Sequence, residues 1–138
     1  MQKVIIDTNV IISSLIQKNF PYIIVHDFFI ENKIELCIST ALMNEYYDVL
    51  RREKFSKFKD FILKAENLLA EIEFKATMFD PKIRLQLISD IDDNMILELA
   101  DESSADFVIT GNTNDFTFPL YKNTKIVTPR EYYENYKP

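Results

Sequence analysis

Asp7 closes the apolar run KVIID (3–7) and precedes a second, VIISSLI (10–16), with Thr8 and Asn9 as its only polar company. Nothing in those flanks offers the carboxylate a partner, and a buried unpaired carboxylate is costly. A divalent cation would relieve that cost, and oxygen donors without histidine or cysteine support suit Mg²⁺ or Mn²⁺ and disfavour zinc. Three further polar sites fall at comparable places: Glu45, Asp93, and the cluster TGNTNDF (110–116). Taken singly, Asp93 also fits a first-turn helix acid, worth about 1 kcal/mol, and Glu45 a solvated helix face. Gathered on one rim, such acids could hold a metal that activates water and offsets charge on the non-bridging and leaving oxygens of a phosphodiester.

The elements that must position these residues alternate strand and helix. KVIID is a β-branched run of the kind buried on both faces of a parallel sheet, which puts Asp7 at a strand's carboxyl end, with Asn9 as the cap of a helix beginning at Val10. Pro21 suits a first turn, and Ile24, Val25, Phe28 and Phe29 give the apolar stripe of a helix running to about residue 32. IELCIS (34–39) reads as the second strand, and Ser39 or Thr40 can cap a helix through about residue 52, with Glu45 in it. A long helix over about 57–74 carries Phe58, Phe61, Ile62, Ala65, Leu68, Leu69 and Ile72 at i, i+3, i+4 spacing. DDNMILELADESSA (92–105) reads as a helix with Asp93 at its start, and DFVITG (106–111) as a strand ending in the only glycine. KIVTPREYYENY (125–136) reads as a strand and then a helix with Thr128 as cap, Pro129 in the first turn and Glu131 completing a capping box. This alternation implies an α/β fold with a mostly parallel sheet, whose ligands bind beyond the carboxyl ends of the strands.

At 138 residues, 47% of them hydrophobic, the chain suits a single domain, 1–138, with a complete core. No apolar stretch approaches the roughly 20 residues needed to span a bilayer, and Met1-Gln2-Lys3 leads directly into a strand-like segment, so a cytosolic protein without membrane association is expected. Cys37 reads as a small buried hydrophobe, and His26 as a packing or surface residue. No G-x-x-x-x-G-K or G-x-G-x-x-G occurs to cradle a nucleotide, and no Ser or Cys sits in a nucleophile setting. A net charge of −6 repels polyanions overall, so any grip on phosphates must be local. RREKFSKFK (51–59) is the candidate: Arg51, Arg52, Lys54, Lys57 and Lys59 could grip phosphates while Phe55 or Phe58 stacks on a base. The same stretch also reads as a solvated helix junction whose phenylalanines face the core. Tyr132, Tyr133 and Tyr136 read as packing residues or as RNA or dimer contacts.

VIIDTNVIISSLI (4–16), STALMNEYYDVL (39–50), SDIDDNMILELADESSADFVITGN (89–112) and DF (115–116) resemble the successive motifs of PIN-domain ribonucleases, in the right order and over nearly the whole chain, with the toxins of bacterial toxin-antitoxin pairs as the nearest likeness. The resemblance implies a three-layer α/β/α sandwich with a short parallel sheet and an acidic pocket for one or two Mg²⁺ or Mn²⁺ ions. It implies a metal-dependent endoribonuclease, an antitoxin partner and a homodimer, and it assigns Asp7, Glu45 and Asp93 to the family acids and Asn9 and Thr110 to polar helpers. The place of a frequent fourth acid is held by Asn112, so Asp115 is the expected substitute, as ligand of a second metal or of the attacking water. The alternatives are a PIN fold of weak or no catalysis that binds RNA or protein, and a phosphotransferase built on Asp7, which would need an acid where Asn9 stands.

Overall fold

A computed structural model describes residues 1–86, 91–111, 116 and 119–138, the side chains of 91 and 92 excepted. Six strands, β1 (Lys3–Ile6), β2 (Glu35–Ile38), β3 (Thr77–Met78), β4 (Phe107–Ile109), β5 (Leu120–Tyr121) and β6 (Thr124–Val127), form one sheet in the order β3-β2-β1-β4-β6-β5. All neighbours are parallel except the β5–β6 hairpin. Helices flank the sheet to give three α/β/α layers: α1 (Thr8–Ile16), α2 (Phe20–Ile23), α3 (Thr40–Leu50), α4 (Phe61–Lys75), α5 (Ile91–Ser103) and α6 (Pro129–Asn135). Among the described residues no helix is long and apolar enough to cross a membrane.

The strand order turns the sequence's apolar runs into a position for the site. The chain steps outward from β1 to β2 and β3, then returns to lay β4 on the other side of β1, so strand order reverses between β1 and β4. A crevice opens at the carboxyl ends of strands where such a reversal occurs. Asp7 follows β1, Thr110 follows β4, and the Asp7 N–H donates to the Ile109 carbonyl at 2.9 Å. Val4, Ile5, Ile6, Val108 and Ile109 are all fully buried, as a central parallel strand pair covered on both faces requires.

Several expectations are corrected. α1 begins at Thr8 and its cap is Asp7, not Asn9: Asp7 is extended (φ −65°, ψ 149°) and its carboxylate accepts from the Thr8 N–H. Residues 24–30 wind as a π-helix, Ile24–Ile30, after α2, and the burial of Ile24, Val25, Phe28 and Phe29 repeats every four residues in keeping with that wider turn. α4 starts at Phe61 because Asp60 is left-handed (φ 58°), so Phe58 lies outside the helix, and Ile62 is 58% exposed although Phe61, Ala65, Leu68, Leu69 and Ile72 form the buried stripe. β3 and β5 were not foreseen. Each has two residues, too few to show a period, and both are sheet edges. Ser39 caps α3 through the Leu42 N–H at 3.1 Å, and the Thr128/Glu131 capping box of α6 is formed as expected.

Cys37 is wholly buried on β2, and burial, with the Glu35 charge behind it, pushes its thiol up to about 12. The unfolded thiol ionises near pH 9.0 while the folded one does not, so this group's contribution to stability falls as pH rises from about 9 to about 12. Cys37 should therefore resist iodoacetamide at pH 8 in the native protein and react in urea, which mass spectrometry reads directly. Rapid native labelling would place the thiol outside the core.

Candidate metal and phosphodiester site

Asp7 is 7% exposed and is not left alone among apolar flanks. Its Oδ1 accepts from the Thr8 N–H at 2.7 Å, and its Oδ2 accepts from the Thr110 hydroxyl at 2.8 Å and, at 3.4 Å, from the Asn9 amide. Two of these donors lie within two positions of it and the third lies 103 positions away. The cost of burying the carboxylate is thus largely met by protein donors, and a cation is not required to explain its burial. Asn9 turns its other end to the Gly111 N–H at 3.1 Å, tying the segment after β4 to the start of α1.

Glu45 lies midway along α3 and is half-buried. The Thr8 hydroxyl donates to its Oε2, so Thr8 bridges the two acids, its N–H on Asp7 and its hydroxyl on Glu45. The next residue, Tyr46, is wholly buried and donates its phenol to the Ile6 carbonyl at 2.5 Å. Burial, followed by the charges of Asp7 and Glu45, holds the Tyr46 hydroxyl well above the ordinary phenol range, so it stays a donor. Neither Thr8 nor Tyr46 stood out in the sequence. A signal for Tyr46 existed, since it shares the stripe Leu42, Met43, Tyr46, Val49, Leu50, and a phenol in an apolar stripe must find a partner.

Asp93 is 8% exposed in the first turn of α5, which packs on β1, β2 and α3. Among the described residues, no three His, Cys, Asp or Glu side chains are assembled tightly enough to hold an ion. What the described site supplies is the bridged pair Asp7 and Glu45, all-oxygen donors that fit a hard divalent cation in kind. Asn112 and Asp115 lie outside the described residues. A groove of about 1040 Å³ lies between α3 and α5, bordered by Ser39, Asn44, Asn94 and Arg84.

The basic stretch divides. Arg51 forms a two-pronged pair with Glu66 (2.9 and 3.2 Å) and lies 4.6 Å from the Tyr47 ring, while Arg52 pairs with Asp48 at 3.0 Å. The Arg51 hydrogen bonds hold the Glu66 carboxyl below its ordinary range. Lys54, Lys57 and Lys59 are exposed. Phe55 and Phe58 are half-buried, with ring centroids 5.2 and 6.4 Å from Phe61, so they pack toward the core and are not open stacking platforms. Tyr132 is wholly buried against Phe107, Tyr133 stacks on Phe28 and Tyr136 packs at a tilt against Phe107, which fits their packing role. His26 is exposed and stacks on Tyr22 at 4.4 Å.

A mostly parallel sheet covered by helices on both faces, with the buried Asp7 at its reversal point, defines a three-layer α/β/α domain. The chain belongs to the PIN domain family, whose sequence pattern matches residues 3–114. It is 27% identical over 143 aligned positions to an uncharacterized protein of Methanocaldococcus jannaschii, covering 98% of this chain and 92% of that one. Its fold is similar to that in the crystal structure of VapBC2 from Rickettsia felis bound to a DNA fragment from their promoter, with a TM-score of 0.58 at 15% identity over 91% of this chain and 97% of that one.

Proposed function

We propose that this PIN domain is a Mg²⁺- or Mn²⁺-dependent endoribonuclease and the toxin of a type II toxin-antitoxin pair, working in the cytoplasm as a homodimer with a cognate antitoxin. The observation that carries the catalytic reading is the bridged pair Asp7 and Glu45 at the sheet's reversal point. Asp7 and Glu45, joined by Asp93, would hold the cation, with Asp115 as a further ligand. When bound, the cation supplies an activated water and offsets charge on the non-bridging and leaving oxygens. Thr110 and Asn9 keep Asp7 turned toward the rim, and Thr8 keeps Glu45 beside it. RNA cleavage that appears with Mn²⁺ and stops with a chelator tests the reading directly. RNA binding without cleavage at saturating Mn²⁺ would favour a catalytically weak RNA- or protein-binding module instead.

The grip on RNA is assigned to residues 51–59, with unequal shares. Arg51 and Arg52 already face carboxylates, whereas Lys54, Lys57 and Lys59 are exposed. Replacing the three lysines with glutamine should lower the slope of log affinity against log salt by about 2, the value for three single-strand phosphate contacts. Replacing the two arginines should change it less. Metal affinity should stay unchanged in both variants, and an unaltered slope in the lysine variant would show a solvated surface only.

A further inference from the structure

α3 delivers two consecutive side chains to the two sides of Asp7. Glu45 reaches forward to the Thr8 hydroxyl, and Tyr46 reaches back to the Ile6 carbonyl at 2.5 Å. The residues they grasp, 6 and 8, flank Asp7 in the chain, and each bond spans about forty positions (40 for Tyr46, 37 for Glu45). A helix sliding or rotating on the sheet would break both anchors together.

We propose that Tyr46 is a positioning residue whose hydroxyl, locked on the Ile6 carbonyl, sets the register of α3 against the β1–α1 turn and so fixes the spacing of Glu45 from Asp7. The inference rests on the metal-site reading above. Three features favour this role over simple packing. Tyr46 has no exposed surface, so its hydroxyl is not there for solubility. The bond ends on the backbone one residue before the ligand and not on a distant element. Its neighbour Glu45 has a single backbone link to Tyr46, so a small change in the tilt of α3 is passed to the carboxylate without a flexible spacer. Phenylalanine would fill the same core volume and remove one of the two side-chain anchors, leaving the Thr8–Glu45 bond in place.

The test is Mn²⁺ titration followed by the paramagnetic resonance signal of free Mn²⁺, on the wild type, Tyr46→Phe, Thr8→Val and Thr8→Ser, with thermal unfolding recorded without metal. Loss of an outer partner of a metal ligand weakens affinity by about 10- to 100-fold. Tyr46→Phe and Thr8→Val should each weaken Mn²⁺ binding by at least about tenfold while still unfolding cooperatively, and Thr8→Ser, which keeps the hydroxyl, should restore it. Wild-type affinity in Tyr46→Phe, whatever its melting temperature, would make the phenol a packing group and overturn the proposal. Failure of Tyr46→Phe to fold would overturn it too, by making the hydroxyl a general requirement of the core. Absence of Mn²⁺ binding by the wild type is a separate result, which would remove the metal-site reading and this inference with it.

Discussion

Asp7→Asn should abolish Mn²⁺-activated RNA cleavage while leaving the fold intact. Removing the central charged ligand forfeits several kcal/mol of transition-state stabilisation, about a 10³-fold loss of rate. The fold should tolerate it because asparagine is as good a helix cap as aspartate. Its amide oxygen can still accept from the Thr8 N–H, and the Thr110 hydroxyl can rotate to accept from the new amide N–H. The contact with the Asn9 amide, already long at 3.4 Å, is the one that turns unfavourable. Relief of repulsion from Glu45, which Thr8 holds nearby, works in the opposite direction. The net change without metal should be within about 1 kcal/mol, or about 3–5 °C in melting temperature for a domain of this size. A calorimetric midpoint more than about 10 °C below the wild type, or a retained cleavage rate, would contradict the assignment.

Tyr132→Ala should produce the largest loss of stability. The side chain has no exposed surface, its ring meets Phe107 on β4 edge-on at 5.2 Å and Phe28 of the π-helix at 6.2 Å, and its hydroxyl donates to Gln2 at 2.5 Å. It joins α6, β4, the π-helix and the residue before β1. Truncating a buried aromatic costs about 3–5 kcal/mol, which corresponds to a fall of about 10–20 °C in melting temperature. Tyr132→Phe, which loses one hydroxyl bond and leaves Gln2 partly exposed to water, should cost about 1 kcal/mol. The carboxylate rim is not touched, so the folded fraction of Tyr132→Ala at low temperature should bind Mn²⁺ as the wild type does. An unchanged melting curve, or a selective loss of RNA affinity, would return Tyr132 to the surface role that its sequence left open.

The local elements of this fold were legible because their signals are local. The β-branched run before Asp7, the Ser39 cap and the Thr128-Pro129-Glu131 box each act within a few residues, and each is in place. Where the expected boundaries moved, the cause was a single backbone state, such as left-handed Asp60, or an element of two residues. The donors of Asp7 were harder to see. Thr8 was adjacent but counted only as polar company of Asp7, and Thr110, named as a helper through the family resemblance alone, becomes a hydrogen-bond partner only when β4 is laid beside β1.

By itself, the order of residues determined that Asp7 ends an apolar strand and that Glu45 rides on a helix following the second strand, for which hydrophobic period and capping chemistry suffice, while its motifs carried the resemblance to the PIN family. Only the tertiary structure decided how Asp7 bears its burial and which groups bracket it. The Thr110 bond crosses 103 positions and the Tyr46 and Glu45 bonds cross 40 and 37, and a periodicity read within one element carries no information on which side of β1 a later strand will settle. The same holds for the basic stretch. Arg51 and Arg52 differ from Lys54, Lys57 and Lys59 because carboxylates on α4 and α3 stand within reach of the arginines, and that reach is a matter of packing geometry.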